Sequence, residues 1–170
     1  MQTCDQFVPP VLVLGVGNIL LGDDGTGPAL LREVQALYAG VAAVECIDGG
    51  TQGMALLGYL GGREALIILD AFAGGRDAGD VSVLEGLEVL NCGVTRSTTA
   101  HEGNAGELLA AAQLLDELPE RVFLVGIEPE RVRTELGLSD RVASALPSAL
   151  VRTCGVVERV LAELGVPMVA

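Results

Sequence analysis

The chain has few basic residues, and this shortage limits the partners that it can bind. Lys and Arg total 10 against 23 Asp and Glu over 170 residues, which gives a formal net charge of −13. Such a balance opposes binding to nucleic-acid phosphates and to anionic membrane surfaces. It is compatible with a bound cation or a basic peptide segment, and it also keeps a chain with 50% hydrophobic residues in solution.

Paired cysteines and a targeting segment are also missing. Residues 1–10 lack the basic and apolar regions of a signal peptide. The longest apolar stretch, from Val11 to Leu21, is broken by Asn18 and falls short of the roughly 18 residues of a membrane span. The four cysteines are scattered and form no C-x-x-C pair, so neither a zinc knuckle nor a dithiol redox motif is predicted. We expect a cytoplasmic protein with reduced cysteines.

Histidine occurs once, at position 101, and several catalytic motifs do not occur at all. Any chemistry that needs an imidazole from this chain must therefore use His101. No G-x-S-x-G element is present for a serine nucleophile. Nothing in the spacing pairs Cys92 or the hydroxyls of residues 97–99 with His101 as a base. The sequence does not favour nucleophilic catalysis.

Mostly apolar runs of strand length recur along the chain. Four are found, at 11–14, 43–47, 65–69 and 121–127. The third is apolar at every position, as expected for a strand that is covered on both faces. The alternation of Val81 and Val83 indicates a further strand near a sheet edge.

Helical patterns separate these strands. The predicted helices begin at Pro28, at about Met54, at Asn104 and at about Val142. Asn104 and Glu107 have the spacing of a capping box, and Pro147 is expected to bend or divide the last helix. The alternation predicts an α/β fold, a three-layer αβα sandwich with a mostly parallel twisted sheet flanked by helices.

Two segments are predicted to lie outside the regular elements. Residues 91–101 are polar and rich in Thr and Ser, which predicts a loop. Residues 1–10 are expected to form a flexible N-terminal extension, and residues 11–170 a single domain, because this length suffices for one core.

A glycine-rich turn with two adjacent carboxylates lies between the first strand and the first helix. Its sequence, residues 14–27, is LGVGNILLGDDGTG. The glycines permit a tight backbone and leave Asp23 and Asp24 near the amide-rich start of the helix. Ligands of open α/β sheets bind at the edge where strands end and helices begin. We therefore interpret this turn as part of a binding or catalytic site.

Three polar residues are expected to meet at this edge. Asp24 follows the first strand, Asp70 ends the third, and His101 lies in the polar loop before a helix. The helix dipole favours neutral imidazole, which is the form that binds metals. Two carboxylates and one imidazole suit a transition metal such as zinc or nickel and leave open positions. The alternative from spacing alone is that the aspartates cap helices or turns and the histidine is solvated.

A dinucleotide site is the rival interpretation of the same turn. A G-x-G pattern at 15–17 follows a strand, and Asp48 ends the second strand, where a ribose-binding acid would lie. The third glycine of the fingerprint is replaced by Leu20, and the carboxylates at 23–24 would repel a pyrophosphate. The sequence therefore disfavours this interpretation.

Four motifs occur in a fixed order along the chain. They are Gly15-Val16-Gly17-Asn18 with Asp23-Asp24-Gly25-x-Gly27, then Asp48-Gly49-Gly50-Thr51-x-Gly53-Met54, then Leu66-Ile67-Ile68-x-Asp70-Ala71, and finally His101 with Leu124-Val125-Gly126-Ile127-x-Pro129. Together, from about Val11 to Leu164, they resemble the maturation endopeptidases of [NiFe] hydrogenases. Because the motifs are separate and ordered, the resemblance is more specific than any single glycine pattern.

The resemblance implies a cytoplasmic peptidase, of a family grouped with the aspartic peptidases. It would remove a C-terminal extension from the precursor of the hydrogenase large subunit after nickel insertion. Two carboxylates and a histidine of this family are thought to bind the precursor's nickel, and the matching catalytic and metal-binding positions are Asp24, Asp70 and His101. Nickel would arrive with the substrate, and cadmium or zinc would replace it in crystals. The partner would be the precursor, and neither nucleic acid nor a membrane would be bound. The chain would act as a monomer.

Two alternatives remain within the resemblance. Part of the family has Glu at position 24, and the shorter Asp24 would bring the metal about 1 to 1.5 Å closer to the backbone. The neighbouring Asp23 would take the same role if the loop were turned differently. A nickel-binding chaperone of hydrogenase assembly without peptidase activity would use the same three ligands and is the alternative function.

Overall fold

The computed structural model describes residues 7–95 and 105–166, which contain one five-stranded sheet. Its strands are β1 (Val11–Val16), β2 (Val44–Gly50), β3 (Ala65–Ala71), β4 (Val81–Glu85) and β5 (Arg121–Ile127). They lie in the order β2-β1-β3-β5-β4, and only β4 is antiparallel to its neighbour. The predicted, mostly parallel sheet is confirmed, and the strand inferred from Val81 and Val83 is an edge strand.

Helices cover both faces of this sheet. They are α1 (Thr26–Leu37), α2 (Leu87–Thr95), α3 (Ala105–Leu114) and α4 (Asp140–Glu163), with 3₁₀ segments at Asp23–Gly25 and Gly53–Tyr59. One core lies between the sheet and the pair α1 and α4, and the other between the sheet and α2, α3 and the second 3₁₀ segment. The three-layer sandwich is thus confirmed. Helix α4 continues through Pro147 and is not divided there.

One predicted loop is partly helical. The sequence predicts a loop from Asn91 onward, and this prediction is wrong for residues 91–95, which belong to α2. The apolar start of α2 buries Val89 in the core at 2% exposure. A helix nucleated by such packing extends at little further cost into polar residues. Asn104 and His101, and with them the capping box and the predicted imidazole, lie outside the described residues.

The close approach of α1 to the sheet depends on glycine. A Cβ atom at Gly27 would clash with the carbonyl oxygens of Val16 and Leu69, at the ends of β1 and β3. A Cβ atom at Gly15 would lie 2.9 Å from the carbonyl oxygen of Gly27. The missing side chains allow the start of α1 to rest directly on the carboxyl ends of these two strands. The turn before α1 is therefore held beside the end of β3.

Two further facts concern the described part of the chain. None of its helices is long and apolar enough to cross a membrane. Its three cysteines, Cys46, Cys92 and Cys154, are free thiols.

Candidate active site

The carboxylate of Asp24 is fixed within the glycine-rich turn. Its Oδ2 accepts a hydrogen bond from the backbone N–H of Asn18 at 2.7 Å, and the Asn18 side chain accepts one from the N–H of Leu20 at 3.0 Å. The turn can close in this way because Gly17 has a φ of +128° and presents no Cβ to the backbone carbonyl of Asp24. Asp24 remains partly exposed. The turn therefore presents this carboxylate toward solvent in a defined position.

Asp70 lies near the carboxyl end of β3, and the structure brings it close to Asp24. Its Oδ1 accepts a hydrogen bond from the backbone N–H of Ala71 at 2.7 Å. Burial, followed by the negative charge of Asp24, raises the pKa of Asp70 well above its ordinary value, and the single hydrogen bond does not offset this. Two carboxylates that repel each other in this way are stabilised by a shared proton or by a bound cation.

Asp23 is adjacent to Asp24 but has a different environment. Its side chain is 0% exposed and accepts four hydrogen bonds. Oδ2 receives the backbone N–H groups of Glu130 and Arg131 and the hydroxyl of Ser139, each at 2.9 Å, and Oδ1 receives the N–H of Ser139 at 2.6 Å. Burial by itself would raise the pKa of Asp23, but these bonds outweigh it and hold that pKa below its ordinary value. The geometry favours Asp24 over Asp23 as the residue available to a ligand.

The bonds to Asp23 join two loops at the carboxyl edge of the sheet. The backbone N–H of Gly22 donates to the carbonyl of Glu135 at 2.8 Å, and the N–H of Glu135 donates to the carbonyl of Leu20 at 3.1 Å. The N–H of Asp23 donates to Arg131 at 3.2 Å. The loop after β5 therefore supports the turn that carries Asp24. No local pattern in the sequence points to this contact, because its partners are separated by more than 100 residues.

Glu128 shapes the loop that follows Asp70, and the sequence reading missed this residue too. It lies directly after β5, and its side chain is turned into the molecule at 9% exposure. Its Oε2 accepts the backbone N–H groups of Gly74 at 2.7 Å and Arg76 at 3.2 Å. A carboxylate bound to successive amides holds a loop in one conformation. Glu128 therefore acts as a structural residue beside the site.

Two exposed apolar side chains lie in the turn that carries Asp24. Ile19 is 53% exposed and Leu20 is 55% exposed, and both directly follow Asn18, whose backbone N–H binds Asp24. Ile19 also lies against the turn, because a Cβ atom at Gly25 would be 3.2 Å from the Cα of Ile19. Apolar residues beside carboxylates form a surface suited to a polypeptide rather than to a small hydrophilic ligand.

The turn is not arranged as a phosphate cradle. The N–H of Asn18, which a phosphate would need, is already bound by the Asp24 carboxylate. Asp48, the proposed ribose ligand, accepts the N–H of Gly50 at 3.1 Å in a local turn. Both observations agree with the missing third glycine and disfavour the dinucleotide interpretation.

The predicted metal-binding set is present only in part among the described residues. Asp24 and Asp70 are close together, whereas His101 lies outside this part of the chain. Within residues 7–95 and 105–166, no group of three or more His, Cys, Asp and Glu side chains could hold a metal ion. The described residues thus place two carboxylates near each other at one edge of the sheet.

Comparison with known proteins defines the class to which this fold and site belong. The model of a family described as hydrogenase maturation protease matches residues 28–155. The hydrogenase 2 maturation protease of Escherichia coli K12 is 36% identical over 155 residues, which cover 91% of this chain and 90% of that protein. The hydrogenase expression/formation protein HupD of Rhizobium leguminosarum is 32% identical, with 95% of this chain and 79% of that protein covered.

Solved structures give the same result. The hydrogenase maturating endopeptidase HybD from E. coli superimposes with a TM-score of 0.78 at 32% identity, covering 88% of this chain and 92% of that one. The chain therefore belongs to the hydrogenase maturation protease family, and it is a peptidase of the HybD-type fold.

Proposed function

We propose that this protein is an endopeptidase that removes the C-terminal extension of the [NiFe] hydrogenase large-subunit precursor after nickel insertion, and that it recognises the inserted nickel. The observation that carries this proposal is the pair of carboxylates, Asp24 and Asp70, at the carboxyl edge of the sheet in a chain of this family. The proposed ligands of the substrate's nickel are Asp24, Asp70 and His101.

The electrostatics of the pair support a cation as the recognition element. Asp70 is disfavoured as an anion beside Asp24, so a divalent cation relieves both the burial of the charge and the mutual repulsion. The net charge of −13 also attracts a cationic centre over a longer distance. A precursor without nickel offers no such cation and would be spared. Metal recognition would therefore also check that the precursor is complete.

Hydrolysis needs a water molecule, a base and a polarised carbonyl group. Nickel held by the precursor and by the three proposed ligands would lie next to the scissile peptide and polarise its carbonyl oxygen. A carboxylate of the pair would accept the proton of the attacking water, and the peptide C–N bond would break with that proton passing to the leaving amine. The grouping with aspartic peptidases belongs to this proposal, as do a cytoplasmic location and a monomeric state.

The test is a mass measurement on precursor before and after incubation. Nickel-loaded and nickel-free precursor are incubated with wild-type protein and with Asp24→Asn, Asp70→Asn and His101→Ala. The exposed Asp77 in the loop after β3 supplies a matched control, Asp77→Asn. We expect a C-terminal peptide to be released only from loaded precursor, by wild type and the control. Full activity in any site variant would remove that residue from the scheme.

The same measurement distinguishes the non-proteolytic alternative. A chaperone would form a stable complex with precursor of unchanged mass. Cleavage of nickel-free precursor at the wild-type rate would contradict nickel recognition while leaving the peptidase assignment intact.

A further inference from the structure

Strand β2 has an unpaired outer edge. It lies at one end of the sheet, next to β1, and within residues 7–95 and 105–166 no strand pairs with its other side. The N–H of Val11 donates to the carbonyl of Ala43 at 3.1 Å. Because backbone groups of a parallel strand alternate between its two sides, every second residue from Ala43 faces β1, and Cys46 and Asp48 face outward. Their N–H and C=O groups are positioned to receive another strand.

Apolar surface flanks this edge on both faces of the sheet. On the α1 side, a cleft of about 410 Å³ is lined by the end of α1, the connecting loop and the start of β2; Tyr38, Val41 and Cys46 line it together with the polar Gln35 and Glu45. Burial, followed by the charge of Glu45, raises the pKa of the Cys46 thiol to about 11, so this group is neutral and contributes to the apolar lining. On the other face, Ile47 is half-buried against the second core. An added strand, whose side chains alternate between faces, would find apolar contacts on each.

The carboxyl end of β2 contacts the turn that carries Asp24. Strand β2 ends at Gly50, whose carbonyl accepts the N–H of Gly17 at 2.9 Å. The next residue, Asn18, donates to Asp24. A chain lying along β2 would therefore leave the sheet beside the turn that presents Asp24. We infer that the outer edge of β2 binds an extended segment of the polypeptide substrate as a sixth strand and guides it to Asp24 and Asp70; this rests on the proposed function.

Charge selects a substrate segment over a second copy of this chain. Pairing of two β2 edges would bring together two molecules that each carry −13 charges. Glu45 forms an ion pair with Arg63, whereas the exposed Asp48 has no ion-pair partner among the described residues. The edge therefore suits a segment with apolar side chains toward the cleft and a basic side chain beside Asp48.

The test removes the outward donor of β2 without disturbing its pairing with β1. Cys46→Pro deletes an N–H that the sheet does not use, and proline is tolerated at such positions of an edge strand. Val83→Pro is the matched control on the opposite edge: Gly86 donates to Val122, and alternation along the strand turns the N–H of Val83 outward too. With nickel-loaded large-subunit precursor, we expect Cys46→Pro to raise KM by at least about tenfold, with the effect on KM rather than kcat, and Val83→Pro to leave KM unchanged.

A second measurement does not depend on catalysis or on a change within β2. Hydrogen exchange followed by NMR on the otherwise wild-type Asp70→Asn protein should show slower exchange of the Cys46 and Asp48 amides when precursor is added. Unchanged exchange, or wild-type KM in Cys46→Pro, would overturn the inference. Protection of these amides without precursor, together with a dimer in sedimentation, would assign the edge to a second copy and also overturn it. Protection by precursor, together with no cleavage of that precursor by the wild-type protein, would support the docking edge and refute the peptidase proposal.

Discussion

Asp23 and Asp24 are adjacent and chemically identical, yet their carboxylates have opposite environments. Asp23 is fully buried and receives four hydrogen bonds, and its pKa is lowered. Asp24 is partly exposed, receives one hydrogen bond from Asn18, and lies beside the like charge of Asp70. Asp23 is held within the fold by its hydrogen bonds, whereas Asp24 lies beside the buried carboxyl group of Asp70, whose pKa it raises. Binding sites commonly retain such unfavourable groups, which a ligand then stabilises.

The sharpest test of this contrast is Asp24→Asn. The asparagine keeps an oxygen that can accept the N–H of Asn18 but loses the charge, so we expect release of the C-terminal peptide to fall by at least about 100-fold, as for the loss of a ligand charge. The free energy of unfolding should stay within about 0.5 kcal/mol of wild type, because the side chain is partly exposed. Urea unfolding and the precursor mass assay measure the two quantities. A large loss of stability would show that Asp24 is a structural residue.

For Asp23→Asn, in contrast, we expect a large change in stability. An amide group in place of the buried carboxylate sets its own N–H donors against the donors from Glu130, Arg131 and Ser139. We expect the free energy of unfolding to fall by about 2 to 4 kcal/mol. In wild type, the stabilisation from Asp23 is present above its unfolded pKa and is lost as pH falls through its lowered folded pKa. Denaturant unfolding of the wild type and of Asp23→Asn, from pH 7 down to the pH at which Asp23 is protonated, measures this. Equal stabilities at pH 7 would contradict a stabilising role for the Asp23 carboxylate.

Asp70→Asn should raise stability while it abolishes cleavage. The folded pKa of Asp70 is raised, so its favourable contribution is complete below its unfolded pKa of about 3.9 and is lost as pH rises through the folded value. At pH 7 the neutral asparagine avoids that loss, and we expect a gain on the order of 1 kcal/mol that vanishes below about pH 4. Thermal unfolding against pH checks this. A variant that is less stable at pH 7 would show that the carboxylate pair is not strained.

For Ser139→Ala we expect a smaller loss of stability than for Asp23→Asn. This change removes the hydroxyl that donates to Asp23 at 2.9 Å and accepts the N–H of Val142 at 3.4 Å at the start of α4, but it keeps the backbone N–H bond to Asp23. A loss of about 1 to 2 kcal/mol is typical of such a cap. The double variant with Asp23→Asn should lose less than the sum of the two changes, because both remove the same hydrogen bond. Additive losses would indicate that the Ser139 hydroxyl and the Asp23 carboxylate stabilise the fold independently.

Local pattern predicted most of the fold. The consecutive apolar residues of β3 indicated a strand covered on both faces, and the structure buries Ala65 to Leu69 completely. The weak alternation of Val81 and Val83 correctly indicated an edge. The prediction that failed, a loop from Asn91, concerned a helix end, where polar residues follow a segment anchored by Val89 and tertiary packing outweighs propensity.

The candidate site was predicted where its residues follow strands directly. Asp70 ends an apolar run and Asp24 lies in the turn after another, so the parallel topology alone brings them to one edge. The roles of Asp23 and Glu128 were not predictable in this way. Asp23 binds residues 107 to 116 positions away, and Glu128 binds amides 52 to 54 positions away. Such contacts leave no periodicity in the chain.

By itself, the sequence determined the alternation of helices and strands, the edge of the sheet that carries Asp24 and Asp70, and the presence of two acids in the turn, because these depend on local hydrophobic pattern and on glycine. Only the tertiary structure gives Asp23 and Asp24 different environments. The loop after β5 and the start of α4 surround Asp23 with donors, whereas β3 brings Asp70 to Asp24. Identical side chains acquire different environments because burial, hydrogen bonds and neighbouring charge are properties of the folded arrangement.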